Sequence, residues 1–99
     1  MADMYSEIRP DLRWIADWLE DDHLQYKSYN NGIQFNVTDE NGIIHSYYPT
    51  TGTALFHKSN ERGGGSKTLR NQTLEQFLYY IRNPFLIRNL FSKKGDVSK

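Results

Sequence analysis

The 99-residue chain has no cysteine, no long apolar run and no net charge. Without cysteine there is neither a disulfide framework nor a thiolate metal site, a composition that suits a reducing cytoplasm. No apolar stretch approaches the ~18 residues a membrane helix needs, and the first residues contain no apolar leader segment, so neither membrane spanning nor export is expected. The glycosylation-type triplets Asn36-Val37-Thr38 and Asn71-Gln72-Thr73 are then coincidences of spelling. No internal repeat is visible, and a chain this short holds one domain, 1–99, with an ordered core over about 8–91 and a loose polar tail from Ser92.

The zero net charge conceals a sorting of charge along the chain. Residues 1–44 hold nine acids and three bases, residues 45–99 nine bases and three acids. A chain divided in this way is steered toward a charged partner or a second copy of itself. Aromatic residues are plentiful, with seven Tyr, five Phe and two Trp. Their large rings let a small domain bury much area with few residues.

Apolar spacing predicts an α+β domain. Ile8, Leu12, Ile15 and Leu19 recur at helical intervals, with Trp14 and Trp18 on the flank, and Pro10 suits a first turn; a helix is expected over about 10–22. Glu20, Asp21 and Asp22 crowd its C-terminal turn, where the helix dipole disfavours acids by about 0.3–1 kcal/mol each. A short strand, Tyr26–Tyr29, precedes Asn30-Asn31-Gly32, a tight-hairpin signal. Alternation then gives strands through Ile33, Phe35 and Val37, over Ile43–Tyr48 and over Thr53–Lys58, separated by Asp39-Glu40-Asn41-Gly42 and Pro49-Thr50-Thr51-Gly52. The expected sheet is an antiparallel meander of three or four strands. Residues 59–66 read as a flexible loop and Lys67–Asn71 as extended or turn-like. Thr73 with Gln76 forms a capping box for a second helix through Phe77, Leu78 and Ile81, which Pro84 ends or kinks. The expected core is Ile8, Leu12, Ile15, Leu19, Ile33, Phe35, Val37, Leu55, Phe77, Leu78 and Ile81.

No catalytic motif is present. The Gly63-Gly64-Gly65 stretch followed by Ser66-Lys67-Thr68 lacks the phosphate-loop spacing, since Glu61 and Ser66 stand where glycines are required. His45 and His57 can meet across neighbouring strands, but a metal needs a third or fourth ligand that is not evident, and a solvated helix end outweighs a cation cluster at Asp17, Glu20, Asp21 and Asp22. No strained serine supports a hydrolase triad. No enzyme, cofactor or metal is therefore expected. Three surfaces remain. The acids Glu20, Asp21, Asp22, Asp39 and Glu40 form a partner-binding patch. Lys58, Arg62, Lys67 and Arg70, with Tyr47 or Tyr48 stacking, form a nucleic-acid platform. Phe85, Leu86, Leu90 and Phe91, beside Ile87, are either core or the seam of a homodimer.

The runs Asn31–Val37, Tyr48–Thr53 and Arg70–Glu75 resemble a pattern in small phage and prophage proteins, in which an aromatic-Pro-Thr-Thr-Gly turn follows a hairpin and a helix closes the domain. That resemblance covers about residues 12–82 and implies an intracellular accessory protein that acts on a host macromolecule. The order helix, three strands, helix also resembles the double-stranded-RNA-binding domain, with Gly42-Ile43-Ile44-His45 and Gly65-Ser66-Lys67 echoing its motifs. Thr68 stands where that family carries a second lysine, and the acidic first helix is the wrong sign to approach a groove.

Two functions follow as expectations. The first is a non-enzymatic interaction protein in the cytoplasm of a bacterial host, its acids mimicking phosphates to a basic cleft and so inhibiting a defence or nucleic-acid-processing protein. The second is a nucleic-acid-binding module working through the basic Gly-rich loop.

Overall fold

Short alternating segments joined by turn residues build an antiparallel meander. In the computed structural model, which describes residues 4–60 and 65–91, five strands lie side by side in chain order. They are β1 (Tyr26–Tyr29), β2 (Gln34–Thr38), β3 (Ile44–Tyr48), β4 (Thr53–His57) and β5 (Ser66–Leu69). Two 3-10 turns, Met4–Glu7 and Pro10–Leu12, lead into α1 (Arg13–Asp21); α2 (Leu74–Arg82) and α3 (Pro84–Leu90) follow the sheet. The expected loose tail beyond residue 91 lies outside the described residues.

β5 adds a strand to the expected three or four. It pairs with β4 from Ala54↔Leu69 to His57↔Ser66. Three of its four residues are exposed, so backbone bonding rather than an alternating apolar pattern makes it a strand. Each edge strand carries an exposed lysine, Lys27 in β1 and Lys67 in β5. A charge there discourages edge-to-edge pairing with other chains.

Register decides which face is buried. Phe35 lies opposite Tyr47, Val37 opposite His45 and Tyr47 opposite Ala54. These residues, with Phe56, form the inner face against which the N-terminal segment and the helices pack Ile8, Leu12, Ile15, Ala16, Leu19, Leu74, Phe77, Leu78, Ile81 and Ile87. Phe77 anchors this layer, its ring stacked 5.1 Å from Tyr47 and 5.6 Å from Phe56, centre to centre. Two core expectations are corrected. Leu55 has the opposite parity and is only half-buried, while Ala54 and Phe56 take the inner positions. Ile33 is 37% exposed, because the hairpin connection spans residues 30–33 rather than a two-residue turn. Asn30, Asn31 and Gly32 all have positive φ, and Ile33 is helical, so it falls out of the alternation that buries Phe35 and Val37.

Three local devices fix the helices. Arg13 reaches back, its Nε donating to the Ile8 carbonyl at 2.9 Å, while the Arg9 amide bonds the Asn31 carbonyl at 2.8 Å. These contacts fasten the N-terminal segment to the first hairpin. α1 stops where His23 enters the left-handed region and the Leu24 amide closes back on the Leu19 carbonyl, an ending usually built on glycine. α2 begins with the expected capping box, Thr73 Oγ1 accepting from the Gln76 amide and Gln76 Oε1 from the Thr73 amide. The Tyr48–Gly52 turn holds this start in place: the Gln72 amide donates to the Gly52 carbonyl at 2.7 Å, and the Tyr47 hydroxyl to the Gln72 carbonyl at 2.8 Å. The aromatic-Pro-Thr-Thr-Gly segment and the Arg70–Glu75 segment are thus two halves of one junction.

Candidate functional site

The acids of the expected patch take different roles. Asp39 is buried and structural: Oδ1 accepts the amides of Asn41 (2.8 Å) and Ile43 (3.0 Å), and Oδ2 meets His45 Nε2 at 2.9 Å. Asp39 is thus committed largely to the tight 39–42 turn, which needs an acceptor for its own amides, and does not stand out as an exposed acid. Asp22 is ion-paired with Arg82 of α2, so part of the C-terminal acid load on α1 is neutralised across the fold. Glu20 accepts the Tyr26 hydroxyl at 2.6 Å. Asp21 and Glu40 stay exposed.

α1 instead presents a different stripe. Trp14, Asp17, Trp18 and Asp21 fall at i, i+3, i+4 and i+7, opposite the buried Ile15, Ala16 and Leu19, and all four are exposed. Trp14 is 46% and Trp18 42% exposed, and their rings meet edge to face at 5.9 Å. Among the described residues neither Asp17 nor Asp21 has an ion-pair partner. Sequence spacing had placed both tryptophans on the flank of the buried stripe. The signal for this surface was present in the complementary positions 14, 17, 18 and 21.

The nucleic-acid platform is also rearranged. Tyr47 is buried against Phe77 with its hydroxyl bonded, so it is not a stacking residue, and register explains why: it lies opposite Phe35 and Ala54 on the inner face. Tyr48 has the outer parity and is half-buried. Lys58, Lys67 and Arg70 are exposed, and Arg62 lies outside the described residues. The uncovered face of the sheet is polar at its centre, where Asn36 Oδ1 accepts from Gln34 Nε2 (2.9 Å) and from the Ser46 hydroxyl (2.8 Å). Of the expected dimer seam only Phe85 is well exposed; Leu86, Leu90 and Phe91 are half-buried, the last two packed on the core.

His45 and His57 do approach each other, with rings nearly parallel and 6.4 Å apart. The backbone amide of His57 donates to His45 Nδ1 at 3.0 Å, so that nitrogen carries no proton and Nε2–H donates to Asp39. Both ring nitrogens of His45 are thereby committed. Burial pushes its pKa below the usual histidine value, outweighing the upward pull of Asp39. His45 takes the place of a ladder bond where β3 and β4 part, and Asn60 does likewise by accepting the Ile44 amide at 2.9 Å. Among the described residues no three metal-ligating side chains cluster, and no helix is long and apolar enough to cross a membrane. Comparisons with protein-family models, with curated proteins and with solved structures return no match to this chain.

Proposed function

We propose that this chain is a small non-enzymatic binding protein, of the kind phages and prophages direct at a host protein, and that it docks through the outer stripe of α1. The observation that carries this reading is the paired, exposed Trp14 and Trp18 bracketed by Asp17 and Asp21. Tryptophan is enriched in interface hot spots because it buries a large rigid area with few rotamers to freeze, and two adjacent rings on one helix face make a natural anchor. The flanking carboxylates specify a basic rim on the partner and steer the encounter. A host protein with a basic cleft, such as a defence or nucleic-acid-processing factor in the bacterial cytoplasm, fits that chemistry; the docked helix then obstructs the cleft. The choice of a host protein draws on the phage-like pattern of residues 31–37, 48–53 and 70–75.

The test is capture from nuclease-treated bacterial lysate on immobilised protein, followed by binding of the identified partner in purified form. A basic protein should be retained by the wild type and lost by Trp14→Ala/Trp18→Ala. Asp17→Asn/Asp21→Asn should weaken binding mainly through the association rate, with less effect at high salt. Capture indifferent to both pairs of substitutions would overturn the proposal. Capture that vanishes with nuclease would point instead to nucleic acid held by Lys58, Lys67 and Arg70.

A further inference from the structure

A recess of about 240 Å³ lies beside Asp39, between the 39–43 turn, the end of β4 and α3. We infer that it is a binding site for a small phosphomonoester, held by Lys58 and Arg88 with His57 beside them and Ile87 and Phe91 as an apolar wall. This site is separate from the α1 stripe and rests on different residues.

The charge arrangement is the first argument. Lys58 follows β4 and Arg88 projects from α3, thirty positions apart in sequence, yet both line the same recess. Arg9, Arg13 and Arg82 each bond a carboxylate or a carbonyl. Among the described residues, the side chains of Lys58 and Arg88 do neither. The one carboxylate in the wall, Asp39, does not pair with them, because its two oxygens already accept from three N–H groups. A carboxylate beside the cations keeps the affinity modest. Two unpaired cations, one a guanidinium able to bond two oxygens at once, match a phosphate dianion better than a single carboxylate.

Rigidity is the second argument. His57 is fixed at its backbone by the buried imidazole of His45, and Ile87, which also lines the recess, is buried. The volume falls below the ~300 Å³ at which drug-sized pockets begin, so the ligand is small. Ile87, Pro84 and Phe91 beside the cations favour a phosphate that carries a compact apolar body.

Amide NMR titrations of the full chain with inorganic phosphate, phenyl phosphate and benzoate, at constant ionic strength, test the site. Saturable shifts are expected at Ile43, His57, Lys58 and Arg88, with phenyl phosphate binding tightest. Arg88→Gln should weaken it by about tenfold and Lys58→Gln by somewhat less, both variants keeping the wild-type spectrum elsewhere because both side chains are exposed. Absence of saturable shifts at these amides up to about 20 mM ligand would overturn the proposal, as would retention of full affinity in Arg88→Gln. Benzoate binding as tightly as phenyl phosphate would overturn the phosphate assignment.

Discussion

His45 donates from Nε2 to Asp39 Oδ2 at 2.9 Å with both side chains almost wholly out of water. The same imidazole accepts the His57 amide on its other nitrogen. Protonation would put a second N–H against that donor, which acts in the same direction as burial. A folded-state pKa below 6.5 has a definite sign in linkage. As pH falls through 6.5, the unfolded chain takes up a proton that the folded chain refuses, so stability is full above that value and declines below it, at most by about 1.4 kcal/mol per pH unit. Urea unfolding at pH 7.5, 6.5 and 5.5 measures the decline, and His45→Gln should flatten it relative to wild type. Asp39→Asn should cost about 1–3 kcal/mol at neutral pH, because its amide would face the Nε2–H and leave a buried donor unpaired. A pH profile identical in wild type and His45→Gln would show that the pair does not govern acid stability.

Gly32 offers a sharper test of packing. Its φ is +100°, and a Cβ there would sit 2.7 Å from Ile8 Cγ2. Gly42 also has positive φ, +82°, but has open space where a Cβ would lie. Gly42→Ala should therefore cost only the left-handed backbone penalty, about 1–2 kcal/mol. Gly32→Ala should cost that plus about 1–3 kcal/mol of overpacking, since Ile8 is buried and has little room to yield. Denaturant midpoints of the two variants, compared at equal m-value, measure the difference. Equal losses would mean the N-terminal segment does not rest on the hairpin as the Arg9–Asn31 bond indicates.

How much of this was legible in the sequence depends on the kind of signal. Helical spacing identified Ile8, Leu12, Ile15 and Leu19, and all four are buried. The Thr73–Gln76 box is purely local, and it forms as read. Strand parity is not local. Whether Leu55 or Phe56 points inward depends on pairing with Tyr47, and whether Ile33 joins Phe35 depends on a loop two residues longer than Asn-Gly suggests. The edge strand β5 carries no apolar alternation to read. Charge sorting along the chain was visible, but its meaning was not. Asp22 pairs with Arg82 sixty residues away, Asp39 turns inward to serve its own turn, and only the tertiary fold distinguishes them from Asp17 and Asp21. The recess at Lys58 and Arg88 joins residues with no shared motif, so no sequence pattern could have announced it.

The two tryptophans of α1 can be separated from the core by energetics alone. Trp14 and Trp18 together expose nearly half of their surface, and their rings meet edge to face. Replacing both by Ala should lower stability by about 1–2 kcal/mol, reflecting a partly exposed aromatic pair rather than core packing. Ile15→Ala, on the opposite face and fully buried, should alone cost about 2–5 kcal/mol through lost burial and the cavity it leaves. Thermal and urea unfolding of the three proteins give the ranking directly. If the double tryptophan variant proves the less stable, those rings hold α1 to the sheet and their exposure carries no information about a partner. If Ile15→Ala proves the less stable, two half-exposed rings contribute less to the fold than one core side chain, which fits a surface maintained for docking.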